Sequence, residues 1–282
     1  RGDTDSLKVL VDYAVQRHEP KAKNACEFFQ SVIKKQSRLV AQWMGVGFIH
    51  GVMNTDNMSL SGETIDYGPC AFMDRFNPAQ KFSYIDQNGR YAYSNQPGIA
   101  QWNLTRLAEA LLPLFDDDQD EAVKMATTEL ENFPTLFKEE HLKIFSRKVG
   151  LEENHDSELI QVLLDLMASQ KADFTLTFHG LANGPDSFLC NFENQEPVRD
   201  WLARWNAAGK PDTSLMKGVN PAYIPRNHRI EEVIEAAKKD DFAPFHELHK
   251  VLQNPFEEQP GFEKYQQTPE PDEIVCNTFC GT

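Results

Sequence analysis

His50 to Asp74 reads HGVMNTDNMSLSGETIDYGPCAFMD, and the fold turns on how this stretch bends. Asp56 and Asn57 precede the run Met58-Ser59-Leu60, while Glu63-Thr64-Ile65 leads into Asp66-Tyr67-Gly68, with Ser61-Gly62 between the two runs. Asn57 and Asp66 are nine residues apart, and an extended chain would separate them by about 30 Å at roughly 3.3 Å per residue. Ser61-Gly62 has the composition of a two-residue hairpin turn, with glycine supplying the positive φ. Such a turn brings Asn57 beside Asp66. Mg²⁺ takes hard oxygen ligands at about 2.0–2.1 Å and is commonly held by one or two carboxylates together with phosphates and waters. The Asn57 amide oxygen and the Asp66 carboxylate meet that demand. Asp56 is placed to accept a proton from an incoming hydroxyl or water, a contribution of about 10²–10⁴ in rate.

Outward from this stretch the pattern is mostly helical. After Asn24, a capping residue, Ala25, Phe28, Phe29, Val32, Ile33, Leu39, Val40 and Trp43 follow helical spacing, so a long amphipathic helix delivers the chain to His50. Residues 69–95 are rich in Pro, Gly, Asn and aromatics and read as a long irregular loop of the kind that carries function. Gln96-Pro97 opens a helix through Leu114, and the acidic run Asp116–Asp120 suits a helix start, where the macrodipole favours negative charge. Further helices are expected at about 121–131, 135–149, 156–170, 197–208, 227–240 and 242–253, with connectors at Asn191–Pro197 and Gly209–Pro225. The tail from Pro255 is polar and Pro-rich and reads as a loose terminus. The fold class is therefore mainly α with a small β-hairpin.

The chain has 282 residues, 40% hydrophobic and 25% charged, enough for a sizeable core. No run approaches 18 apolar residues, so no membrane span is expected, and no signal or transit peptide is visible. The net charge of −15 is uneven: residues 1–115 hold 12 Lys+Arg against 11 Asp+Glu, leaving 16 against 32 for residues 116–282. An acidic half disfavours nucleic acid and anionic membranes, whereas a near-neutral first half tolerates a nucleotide.

The arrangement resembles a protein-kinase active site with one part moved. Kinases carry His-Arg-Asp, four residues, then Asn, followed by a strand pair and Asp-Phe-Gly; the first Asp is the base, and the Asn and last Asp hold the metals. The seven-residue step from His50 to Asn57 matches, but Val52 stands where the base belongs, and Asp56 is the nearest replacement. With His50–Ser59, Asp66-Tyr67-Gly68-Pro69, Asn88-Gly89-Arg90-Tyr91, Asn95-Gln96-Pro97, Trp102-Asn103-Leu104, Asn220-Pro221-Ala222-Tyr223 and Asn254-Pro255-Phe256, the chain resembles the selenoprotein O family of kinase-like protein adenylyltransferases. That resemblance implies a protein-kinase-like C-lobe. It divides the chain into a core with catalytic and metal-binding loops at 1–115, an acidic helical continuation at 116–254 and a tail at 255–282. It further implies transfer of AMP from ATP to Ser, Thr or Tyr hydroxyls of proteins, with Asp56 as proton acceptor, Asn57 and Asp66 as ligands of Mg²⁺ or Mn²⁺, and Asp66 as an ATP contact. The family's N-terminal lobe, with its Gly-rich loop and phosphate-binding Lys, has no counterpart before His50, so this chain reads as a C-terminal part or processed form. The resemblance places it in a bacterial cytoplasm or a mitochondrion.

Five cysteines suit a reducing compartment. Cys276 and Cys280 near the end do not make a zinc site, because no second Cys/His pair of suitable spacing lies nearby. By resemblance, Cys280 matches the redox-active position third from the family's end. His246 and His249 lack metalloprotease spacing and read as a solvated face, His50 as a brace for its loop, and Trp43, Trp102, Trp201 and Trp205 as core. Ser59 and Ser61 lack a nucleophile elbow. Two other readings stay open: an atypical kinase that transfers the γ-phosphate with the same residues, and a non-catalytic fragment that binds a partner through its acidic half.

Overall fold

The computed structural model describes residues 2–151 and 157–279. In chain order its helices are α1 (Thr4–His18), α2 (Ala25–Gly45), α3 (Gln96–Leu111), α4 (Gln119–Lys148), α5 (Ser157–Gln170) and α6 (Phe174–Asn183). They continue as α7 (Pro185–Leu189), α8 (Glu196–Ala208), α9 (Thr213–Val219), α10 (Asn227–Ala237) and α11 (Ala243–Leu252). Two short strands, β1 (Phe48–Ile49) and β2 (Ala71–Phe72), form an antiparallel pair. The expected mainly helical class with a small antiparallel element is what the described residues adopt. Two compact units interleave along the chain: Arg1–Gln42 with Val52–Tyr67 and Asn95–His141, and Trp43–Gly51 with Gly68–Ser94 and Leu142–Thr282.

In the first unit, α2 begins as its sequence predicts, with the Asn24 Oδ1 accepting from the Glu27 N–H at 2.8 Å. Its apolar stripe is fully used: Phe28, Phe29, Val32, Ile33 and Val40 are each at most 1% exposed. Burial of such side chains stabilises by roughly 1.5–3 kcal/mol each. On α3, Ala100, Leu104, Ala108 and Leu111 are buried. Regular helix ends at Leu111, and Leu112–Leu114 tighten into a 3₁₀ turn around Pro113. Trp102, expected in the core, is instead 42% exposed, with the Arg106 guanidinium 5.4 Å from its ring centre. The expected break between 131 and 135 is absent, since α4 runs unbroken through Pro134. Proline cannot donate to the carbonyl four residues back; that Leu130 oxygen accepts from Gln101 Nε2 at 3.3 Å instead.

The second unit is built around aromatic side chains. Phe174 and Phe178 meet edge to face at 5.2 Å, with Phe145 5.8 Å from Phe178. Trp201 and Trp205 each bury the ring while donating the indole N–H, to the Leu159 and Val149 carbonyls at 2.8 Å. The helix α6 lies in a stretch where none was expected. It is capped by Asp173, which accepts from the Leu176 N–H, and is buried at Phe174, Thr175, Thr177, Phe178, Gly180, Leu181 and Ala182. Buried on most sides, it shows no amphipathic period. A short α9 also forms inside the expected connector Gly209–Pro225, capped by Asp212 on the Leu215 N–H at 3.0 Å.

Up to residue 279, the described part of the tail is not loose. Tyr265 is 4% exposed and packs in a buried cluster with Tyr223, Leu248 and Val251. Thr278 is tied at both backbone groups, its N–H donating to the Phe82 carbonyl at 2.8 Å and its carbonyl accepting from the Tyr84 N–H at 3.0 Å.

Two buried charges stand out. Arg226 is 1% exposed, and its guanidinium pairs with Asp173 at 2.8 Å and with Asp74. Burial holds the Asp74 carboxyl above its usual range, opposed by that guanidinium. Lys148 is 2% exposed, with its ammonium 4.3 Å from the Phe178 ring centre and 5.4 Å from that of Phe174. Burial pulls its pKa from 10.5 down to about 7. Between these values the unfolded chain binds more protons than the folded one, so this group makes stability rise with pH across that window. Lys148→Met is expected to raise stability at pH 7 by roughly 1–3 kcal/mol and to flatten the rise between pH 7 and 9. Denaturant titrations at several pH values check both.

Candidate active site

Asp56, Asn57 and Asp66 all lie in Val52–Tyr67 of the first unit, and the segments before and after it, Trp43–Gly51 and Gly68–Ser94, belong to the second. In the second unit, β1 pairs with β2 through Phe48 opposite Phe72 and Ile49 opposite Ala71, and the Met73 N–H extends the pairing to the Gly47 carbonyl at 2.9 Å. His50 follows β1 with no exposed surface. Its ring centre lies 5.3 Å from that of Trp43 and 6.3 Å from that of Phe48. The ring is thus enclosed among aromatic side chains.

Gly51 has φ +83°, and a Cβ placed there would lie 2.9 Å from the Pro69 carbonyl oxygen. Both conformation and space therefore exclude a side chain. Gly51→Ala is expected to destabilise by about 1–3 kcal/mol, measured as a lower unfolding midpoint. The same Pro69 carbonyl accepts from the Thr278 hydroxyl at 2.5 Å, so the tail anchors the segment that follows Asp66-Tyr67-Gly68.

In the first unit, Thr55–Asn57 form one turn of 3₁₀ helix closed by the Asn57 N–H on the Asn54 carbonyl at 3.0 Å. Asp56 is exposed on this turn and Asn57 half-buried. The Asn57 Nδ2 donates to the Val52 carbonyl at 3.0 Å. A carbonyl acceptor fixes which end of the amide faces it, and so leaves Oδ1 as the end available to a cation. Two helix residues hold the rest of the loop: Asn103 Nδ2 on α3 donates to the Met53 carbonyl at 2.9 Å, and Gln36 Nε2 on α2 to the Ser59 carbonyl at 2.6 Å. Neither stands out in the sequence as a support of this loop. For Gln36 the available signal was a polar residue inside the apolar stripe of α2; Asn103 gave none beyond its place in a family motif.

Met58 bridges Thr64 in antiparallel sense, so the chain reverses as expected, but the turn is longer and shifted. It spans Ser59–Gly62, closed by the Gly62 N–H on the Ser59 carbonyl at 3.1 Å, with Leu60-Ser61 rather than Ser61-Gly62 at its centre. Gly62 supplies the positive φ, +76°, at the last turn position. Counting outward from the bridge, Asn57 lies one residue along its arm, and Asp56 and Asp66 lie two residues along theirs. Asp66 is exposed and adopts φ +54°, one of three non-glycine residues with positive φ among those described. Asp tolerates this region better than most residues, and such conformations concentrate at functional sites.

The two groups expected to hold the cation are of the kind Mg²⁺ takes, the Asp66 carboxylate and the Asn57 amide oxygen, whose amide nitrogen is already used. Among the described residues no group of three His, Cys, Asp or Glu is arranged to hold a metal. Cys276 is a free, exposed thiol; Cys280 lies outside the described residues. No helix of the described residues is long and apolar enough to cross a membrane.

A family model described as "Protein adenylyltransferase SelO" matches residues 1–253. Among curated proteins, "Protein nucleotidyltransferase YdiU" of Rhizobium etli strain CFN 42 is 49% identical over 304 aligned residues, covering 100% of this chain and 60% of the relative. The proteins of the same name from Bradyrhizobium sp. strain BTAi1 and Rhodopseudomonas palustris strain BisB18 are each 50% identical over 301 aligned residues, covering 100% of this chain and 61% of each relative. This chain therefore spans about 60% of the length of the curated relatives it matches. A family match over most of its residues, and identity near one half along its whole length, establish that this chain belongs to the protein adenylyltransferase SelO family.

Proposed function

We propose that this chain is the kinase-like C-lobe of a nucleotidyltransferase that moves AMP from ATP to Ser, Thr or Tyr hydroxyls of other proteins, releasing pyrophosphate. The observation that carries the reading is the loop and hairpin themselves. Asp56 and Asn57 stand on one arm and Asp66 on the other, and the Asn57 amide nitrogen is committed to Val52. In this reading Asn57 Oδ1 and the Asp66 carboxylate would hold Mg²⁺ or Mn²⁺, Asp66 would also contact ATP, and Asp56 would take the proton from the attacking hydroxyl. When bound, the cation neutralises phosphate charge. The bond that forms joins the hydroxyl oxygen to the α-phosphorus, and the bond that breaks frees pyrophosphate.

The Gln36 and Asn103 amides hold the backbone of the loop that carries Asp56 and Asn57. The division at 115/116 and 254/255 is proposed as a division of roles along the chain, with the N-terminal lobe of longer relatives completing the nucleotide site. A bacterial cytoplasmic setting accords with the relatives named above, which lend the mitochondrial alternative no support. Neither nucleic acid nor membrane is proposed as a partner. A redox role is retained for Cys280 with Cys276.

Product analysis tests the reading. Full-length protein turning over ATP with an acceptor protein is expected to release pyrophosphate in a one-to-one ratio with AMP incorporated. ADP as the co-product would establish the atypical-kinase alternative, and no product of either kind, from protein that binds no nucleotide, the non-catalytic one.

A further inference from the structure

Within the second unit, the end of the described tail lies on the loop at 69–95 as an added strand. Thr278 forms a parallel bridge with Ser83. Its N–H donates to the Phe82 carbonyl at 2.8 Å and its carbonyl accepts from the Tyr84 N–H at 3.0 Å. Its hydroxyl donates to the Pro69 carbonyl at 2.5 Å. The next residue, Phe279, sets its ring centre 5.1 Å from that of Tyr84. The backbone bonds are those of one rung of a parallel sheet. The edge Phe82–Tyr84 therefore pairs with an extended segment, while Pro69 and Tyr84 receive a hydroxyl and the ring that follows it.

The hold is shallow. Phe279 is 67% exposed and Tyr84 56%, and Cys276 is exposed. A cavity of about 280 Å³ remains between loop and tail, walled by Met73 and Phe82 on one side and Pro269, Ile274 and Val275 on the other. Tyr265, farther back, is by contrast buried. Hydrogen bonds that can be exchanged for bonds to water contribute modestly each, so the end of the tail can leave while Tyr265 stays. An edge freed in this way presents unpaired backbone groups to another strand. Strand addition draws its affinity from the main chain and its specificity from the side-chain contacts.

On the reading above that the protein modifies protein hydroxyls, on which this inference rests, we propose that Asn277–Phe279 is a displaceable strap. The edge it covers, Phe82–Tyr84 with Pro69, docks an extended acceptor segment that carries Ser or Thr followed by an aromatic residue. The hydroxyl at Pro69 is a recognition contact. The tail occupies the acceptor's place until the acceptor displaces it.

The test uses full-length protein and a fluorescent synthetic peptide with the sequence of residues 270–279, carrying Cys276→Ser to remove the thiol. Thr278→Pro in the protein removes the N–H given to Phe82 and is expected to tighten peptide binding at least tenfold, read by anisotropy; Phe279→Ser is expected to tighten it at least threefold. Thr278→Val in the peptide is expected to weaken its binding to the Thr278→Pro protein at least fivefold. In AMP transfer to the acceptor protein of the product analysis, Thr278→Pro is expected to lower KM for the acceptor at least threefold with kcat within twofold, and the peptide to inhibit in competition with the acceptor. A peptide bound no better by either protein variant would overturn the strap. An unchanged KM with a lowered kcat, or inhibition that excess acceptor does not relieve, would overturn the docking edge and leave Thr278 a positioning residue for Pro69. If no form of the protein transfers AMP, the reading of Asp56, Asn57 and Asp66 fails and the acceptor edge fails with it, while peptide binding still decides the strap.

Discussion

Replacing Asp66 with asparagine is expected to lower AMP transfer by about 10²–10³-fold, the loss of several kcal/mol that removing a metal-held charge entails. Asparagine is the sharper choice than alanine, because it shares aspartate's tolerance for positive φ and Asp66 sits at φ +54°. The backbone is preserved while the carboxylate charge is removed. The unfolding midpoint should therefore stay close to that of the unmodified protein, and nucleotide affinity measured with Mg²⁺ should fall together with the rate. Asp56→Ala should behave differently. It is expected to cut turnover by about 10²–10⁴-fold while leaving nucleotide affinity unchanged, as befits a proton acceptor outside the ligand set. If Asp66→Asn retains full transfer, the hairpin is not the metal site.

The second large effect concerns stability. Arg226 supplies the charge that balances two carboxylates, Asp173 at 2.8 Å and Asp74, and removing it leaves Asp173 buried and Asp74 half-buried without that partner. Arg226→Met is expected to destabilise by about 3–5 kcal/mol, seen as a lower thermal midpoint and a lower denaturant midpoint. Adding Asp74→Asn and Asp173→Asn should recover most of that loss, since the triple variant buries no net charge. The amide oxygen introduced by Asp173→Asn would also still accept from the Leu176 N–H that Asp173 now caps. A single variant that melts like the unmodified protein would show that the triad contributes nothing net to the fold.

The helices with one buried face were legible. The stripe of α2 behind its Asn24 cap and the Gln96-Pro97 start of α3 follow from spacing and capping chemistry alone. What failed did so for identifiable reasons. Pro134 breaks the local helix rule, but Gln101, 29 residues away along the chain from the carbonyl that proline abandons, satisfies that carbonyl, and nothing local encodes the rescue. The helix α6 is apolar nearly all round and carries threonines that favour strands, so no amphipathic period reveals it. The tail looks disordered by composition, yet Tyr265 and Thr278 each find a partner element that sequence distance hides.

At the site the balance was similar. The reversal between Asn57 and Asp66 could be read from spacing and residue type. The turn itself was misplaced, because the Met58–Thr64 bridge sets a longer turn in which Gly62 occupies the last position. The loop's supports, Gln36 and Asn103, stayed hidden because their role depends on tertiary placement.

Parallel incubation of the full-length protein and an acceptor protein with α-labelled and γ-labelled ATP tests the central claim most directly. The account predicts label on protein from the α-phosphate alone, lost in Asp66→Asn. Label from the γ-phosphate alone would contradict it and make the same residues those of a kinase.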